Sequence, residues 1–250
     1  MKVIYLIFAV IGFTIFGLSS CRQTDTKQVK VPTKRRADTV ANFKEEVAVI
    51  KPQTTPRFSL PKGYVIFDKH SGDLNQDGLP DSVLIIKAAD KSKVVKDRYG
   101  KMQDRNRRGI IILFNKKDHY ELALQNVDCF SSENEDGGVY FAPDLMVEID
   151  KGNLYVHYGH GRYGYWRYTF KYRKGNFVLI GYDASDNRGP VINRETSINF
   201  LTQKKQEKVN TNPNAESGEE VFEEKWTKLP TKPLIKLAEI KNFDRLAVGE

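Results

Sequence analysis

Short apolar stretches separated by polar turns fill most of this chain, and one longer apolar run stands at its start. Val3 to Leu18 is sixteen predominantly apolar residues, with Lys2 ahead of it and Arg22 the next charge. A bilayer-spanning helix needs about 20 apolar residues, so the run is short for one. A positive start, an apolar centre and small residues at the end are the pattern of an export signal, which predicts a signal peptide over residues 1–20. Residues 21–56 are polar, contain Pro32, Pro52 and Pro56, and show little periodicity, which predicts a tether.

From Tyr64 onward the pattern is that of strands. Tyr64–Phe67 and Val83–Ile86 are short apolar runs, and Ile110–Phe114 is continuously apolar, as in a strand covered on both faces. Three hairpins are predicted around the polar turns 115–118, 150–153 and 173–176, joining Ile110–Phe114 to Tyr120–Leu124, Leu145–Ile149 to Leu154–Tyr158, and Trp166–Tyr172 to Phe177–Tyr182. Ser197–Leu201 and Val221–Trp226 follow, with residues 203–220 expected to be largely a flexible loop. Pro233–Leu237 is expected to be a last edge strand, with a short helix near Leu237–Phe243. The fold class is therefore mainly β: one domain over 57–250, an antiparallel sandwich or curved sheet of short strands with few helices. No repeat of about 40 residues is present, which argues against a propeller.

The chain holds only two cysteines, too few for a disulfide scaffold. The first closes the segment Leu18-Ser19-Ser20-Cys21, which resembles the lipobox of bacterial lipoproteins. That resemblance implies cleavage before Cys21, a diacylglycerol thioether on its sulfur, and membrane anchoring. Arg22 at the next position, and the absence of an acidic cluster after it, resemble outer-membrane sorting with the domain facing the periplasm. Cys129 is then left without an intrachain partner and is expected to be buried and inert.

The sharpest local motif is Asp73-Leu74-Asn75-Gln76-Asp77-Gly78-Leu79-Pro80-Asp81. Alternate positions place oxygen donors on one side of a tight loop, and Gly78 permits the turn. Asp73, Asn75, Asp77, the Leu79 carbonyl and Asp81 are the expected ligands of a structural Ca²⁺, with Mg²⁺ second and a metal-free Asp/Asn turn the plain alternative. Position twelve is Leu84 rather than Glu, and a strand follows at once, so the loop is similar to those of FG-GAP and VCBS-type β-proteins, here in a single copy.

His157, Tyr158, His160, Arg162, Tyr163 and Tyr165 stand in a Gly-rich aromatic stretch. Three readings remain open for it: a packed strand with surface histidines, a ligand surface of aromatics with polar tips, or a metal or hydrolytic site built on His157 and His160 with a nearby carboxylate. No nucleophile elbow, zinc-protease, P-loop or dinucleotide fingerprint occurs.

Formal charge is +8, with 40 Lys+Arg against 32 Asp+Glu. Its distribution matters more than its sum. Residues 22–40 carry +4, and Lys87–Arg108, with nine basic residues and three Asp, carry +6, so the rest of the chain is mildly acidic. Lys87–Arg108 is expected to be a long loop, either solvated or touching anionic lipid, an anionic envelope polymer or a protein partner. Export removes nucleic acid as a partner.

Across Leu60–Thr202 the single Asp-rich loop, the strand Arg108–Phe114, Gly137-Gly138, the Tyr/Gly stretch before Trp166, and Glu195–Thr202 resemble a family of bacterial envelope lipoproteins without an assigned activity. The resemblance implies the domain limits and adds no catalytic residue. The expected function is a lipid-anchored periplasmic binding or structural module stabilised by Ca²⁺, with an envelope hydrolase acting on glycan or peptide as the alternative.

Overall fold

The computed structural model describes residues 58–134 and 142–248, all within one compact unit. The expected export signal, Cys21, the expected tether and Gly137-Gly138 lie outside the described residues. The described residues form strands β1 (Tyr64–Gly72), β2 (Asp81–Ala88), β3 (Val94–Lys96), β4 (Met102–Asp104), β5 (Arg108–Asn115), β6 (Tyr120–Phe130), β7 (Asp144–Asp150), β8 (Asn153–Gly159), β9 (Gly164–Arg173), β10 (Asn176–Arg188), β11 (Val191–Asn199), β12 (Lys204–Asn210) and β13 (Phe222–Lys228). Among the described residues the helical pieces are single 3-10 turns at Lys91–Lys93, Gly161–Tyr163, Leu237–Glu239 and Phe243–Arg245. The protein is mainly β, as the patterning predicts.

A four-stranded sheet of order β1-β2-β5-β6 and a seven-stranded sheet of order β13-β12-β11-β10-β9-β8-β7 are both antiparallel, and β3 pairs only with β4. All three predicted hairpins form. Two of them turn on Lys151-Gly152 and Lys174-Gly175, whose φ values are 49° and 74°, and 49° and 80°. Two consecutive left-handed residues make the type I′ turn, whose twist matches that of the flanking strands.

The two sheets close on one core. Val83, Ile85, Ile110, Ile112 and Phe114 face Leu154, Val156, Tyr158, Tyr168 and Phe170. The opposite face of β2 and β5 is also covered: Leu84, Ile86, Ile111 and Leu113 pack against Phe58, Leu60, Tyr64, Tyr120 and Val127. Double burial explains why Ile110–Phe114 reads as a continuous apolar run.

The C-terminal segment plugs the end of this core. Leu237, Ile240 and Phe243 are buried, and Asn126 Nδ2 donates to the carbonyls of Leu237 and Ile240, both at 2.8 Å. The expected edge strand over 233–237 reduces to one bridge between Val178 and Lys236, because Pro230 and Pro233 have no N–H to continue a ladder. A second correction concerns 203–220: its first part is β12, paired on both sides, and only 211–221 is loop. β12 alternates Lys, Gln, Glu and Lys on both faces, so it gives no apolar signal and is held by its backbone ladder. Cys129 is fully buried, and burial pushes its thiol far above the ordinary range, so it is inert as expected.

Candidate functional site

Strand register converts the aromatic stretch into two different surfaces. Successive side chains of a strand point to opposite faces. In β8 and β9, Tyr158, Trp166, Tyr168 and Phe170 take the core face, and His157, Tyr165, Arg167 and Thr169 take the solvent face. Tyr158 is 1% exposed, with its ring stacked on Trp166 at 5.5 Å. It cannot belong to a ligand surface, which corrects that expectation. Burial also raises its phenol well above the ordinary value.

The histidines part in the same way. His157 stacks on Tyr165 at 5.3 Å between ring centroids, on the solvent face. His160 sits in the β8–β9 connection, 5.1 Å from the Tyr163 ring and 6.5 Å from that of Trp166, a core-face residue. Register thus gives the two imidazoles different surroundings, His157 on the solvent face and His160 in the connection near Trp166. Tyr163 lies in the 3-10 turn after His160, and Arg162, beside it, is exposed.

Residues from more distant parts of the chain complete the solvent face. Direct cross-strand partners run from Met146 through His157, Arg167, Asp183, Ser197 and Gln206 to Trp226, one from each of the seven strands. Arg167 Nη2 donates to Asp183 Oδ2 at 3.0 Å, and Ser197 Oγ donates to Asp183 Oδ1 at 2.8 Å. The Arg167 guanidinium also lies over the Tyr155 ring at 5.4 Å, and its Nε–H is buried without an acceptor. Beside this row, Lys208 Nζ is 3.5 Å from Glu195. Tyr165, Asp183, Glu195, Ser197, Gln206 and Lys208 line a shallow depression of about 150 Å³. Partial burial, then the neighbouring Asp183, raise the Tyr165 phenol, which stays a hydroxyl at neutral pH. Partial burial, then Arg167, lower the His157 imidazole, which stays neutral there. Only strand pairing could have linked Asp183, Glu195 and Lys208 to His157, since they lie 26 to 51 residues away in sequence.

A larger cavity of about 190 Å³ lies under the C-terminal segment, among Leu179, Phe200, Leu229, Leu234 and Ile235. Its lining is apolar apart from Gln203 and Lys232, so it offers few groups to orient a ligand.

The Asp-rich loop joins β1 to β2. Asp73 accepts from the N–H of Asp77 (3.1 Å) and of Gly78 (2.9 Å), Asn75 Oδ1 from Asp77 N (2.9 Å), and Asp77 Oδ1 from Leu79 N (3.0 Å). Asn75 Nδ2 donates to Asp77 Oδ2 at 3.0 Å. Gln76 and Gly78, with φ of 64° and 87°, make the turn. Asp81 plays a different part. It is fully buried, its Oδ2 accepts from Leu74 N (2.9 Å) and Asn75 N (3.4 Å), and its Oδ1 accepts from Asn115 N (3.0 Å). Among the described residues no three His, Cys, Asp or Glu side chains gather as an ion site. The loop's converging set is two carboxylates and one amide, all hard oxygen donors of the type that suits Ca²⁺.

No protein-family model, curated protein or solved structure matches this chain. The class it defines is an antiparallel β-sandwich with an aromatic and polar solvent face, and the reading of that face rests on its own geometry.

Proposed function

We propose that this chain is a lipid-anchored module of the bacterial envelope that binds a neutral saccharide on the solvent face of its seven-stranded sheet. The observation that carries this reading is the row His157–Arg167–Asp183–Ser197 with the depression beside it. Aromatic faces at Tyr155, His157 and Tyr165 suit the apolar faces of sugar rings. Asp183, Glu195, Arg167 and Lys208 sum to zero formal charge, and with Ser197 and Gln206 they offer both donors and acceptors. A neutral polyol has both needs. A peptide that added a strand would require a sheet edge, and this surface lies in mid-sheet. The lipobox-like segment ending at Cys21 supports the anchor, which metabolic labelling with palmitate would reveal and Cys21→Ala would abolish.

The experiment is isothermal titration of the full chain with neutral envelope-type oligosaccharides. Binding that falls at least tenfold in Tyr165→Ala and in Arg167→Ala, with unchanged melting, supports the reading. No binding across the panel, or binding indifferent to both variants, overturns it.

A structural Ca²⁺ forms the second part of the proposal. Asp73, Asn75, Asp77 and the Leu79 carbonyl would hold the ion, and Asp81 would set the loop's frame from behind. The ion would add hard positive charge that cross-links the β1–β2 connection.

A further inference from the structure

We infer that the β3–β4 ribbon is a contact for an anionic lipid bilayer surface. Lys87 and Arg108 are direct partners in β2 and β5, so the residues between them are an excursion from the end of the sheet. The excursion is built rather than loose. Asp90 caps Ser92 N at 2.8 Å, and Asn106 ties down Asp90 through two bonds of 3.0 Å. At the tip, Asp97 accepts from Tyr99 N (2.8 Å) and Lys101 N (2.9 Å).

The charges divide into two groups. Lys87 is paired with Asp104 and Glu133, both at 2.8 Å, Arg107 with Asp128 at 2.5 Å, and Arg108 is buried and donates to Ser131 O. Lys91, Lys93, Lys96, Arg98 and Lys101 are exposed and form no ion pair among the described residues, while all three acids of the segment are engaged internally. Apolar groups are exposed among these cations: Tyr99 is 80% exposed, Met102 53%, and Val94 and Val95 39% each. Lys96 and Met102 are cross-strand partners, and Val94 shares their face.

Cations attract a soluble polyanion and an anionic bilayer alike. Exposed Tyr, Met and Val beside them favour the bilayer, whose interface takes aromatic rings and aliphatic groups while Lys and Arg reach the headgroups. The location agrees. Tyr64 pairs with Ala88, and Ala89 N donates to Gly63 O at 2.8 Å, so the ribbon leaves the sheet at the end where the chain enters from its N-terminal side.

The test is hydrogen exchange of the full chain with vesicles of phosphatidylcholine alone and of phosphatidylcholine with phosphatidylglycerol. Amides 93–104 are expected to gain protection only with the anionic lipid. Each Lys→Gln at 93, 96 or 101 should lower the docked-to-undocked ratio about fivefold, and Tyr99→Ala with Met102→Ala should lower it further. Equal protection in both vesicles, or none in either, overturns the inference. Equal protection by soluble polyglutamate, unaffected by Tyr99→Ala and Met102→Ala, overturns it in favour of a polyanion. The readout does not depend on Cys21 or on saccharide binding.

Discussion

Arg167 and Asp183 face each other across β9 and β10 at 3.0 Å, on the solvent face rather than in the core. The pair is partly exposed, at 42% and 29%, so its removal is expected to cost no more than about 1 kcal/mol of stability. Arg167→Ala and Asp183→Ala should therefore unfold in urea close to wild type while losing saccharide affinity at least tenfold. A large stability loss without an affinity change would make the pair a structural clamp.

His157 gives a pH signature. Its imidazole is held below the ordinary value by partial burial and then by Arg167. The unfolded chain therefore binds a proton more readily than the folded one, and stability rises with pH between the depressed folded midpoint and the ordinary value near 6.5. Below that window both states are protonated and the contribution stays lost. His157→Gln should flatten this slope in urea unfolding across pH. A nuclear magnetic resonance titration should place the His157 midpoint below those of typical exposed histidines, and a raised midpoint would contradict its partial burial beside Arg167.

Gly164 opens β9 with φ of 103°, and a Cβ there would meet the carbonyl of Ser185 on β10. Backbone cannot retreat as a flexible side chain can. Gly164→Ala is expected to destabilise the domain by about 3 kcal/mol and to displace Tyr165, the next residue, from its stack on His157. Chemical denaturation reads the first effect and saccharide titration the second. Near-wild-type stability would mean that the sheet relaxes there at little cost.

The fold was legible where apolar residues run together or alternate with polar ones between turn residues. Val83–Ile86, Ile110–Phe114 and the three hairpins are found where apolar periodicity and turn residues place them. β12 and the β3–β4 ribbon were illegible, because Lys204–Asn210 is polar on both faces and the ribbon's exposed valines are isolated among lysines. At the site, local sequence supplied His157 and Tyr165, yet it also offered Tyr158, since a Tyr/His/Gly stretch does not reveal the phase of its strand. Asp183, Glu195 and Lys208 carry no local signal. They join the site through cross-strand register, a long-range property.

The loop between β1 and β2 contains two kinds of aspartate, and they should separate by experiment. Asp73 and Asp77 are partly or fully exposed; their hydrogen bonds stay within the loop, and Asp77 also lies 4.0 Å from Lys116 Nζ. Asp81 is buried and accepts from three main-chain N–H groups in two segments of chain. Asp81→Asn puts a donor against those donors and should cost about 2–3 kcal/mol without any added ion. Ca²⁺ at a hundred times its Kd adds about 2.7 kcal/mol, which for a domain of this size raises Tm by about 5–10 °C. Asp73→Ala and Asp77→Ala should leave the chelated protein near wild type and abolish that rise. Asp81→Asn should instead start lower and keep the rise, because its carboxylate frames the loop from the core side. Calorimetry with EDTA and with millimolar Ca²⁺ checks all three variants. A wild-type Tm that ignores Ca²⁺ would remove the ion from the proposal, and a rise lost in Asp81→Asn would return Asp81 to the ligand set.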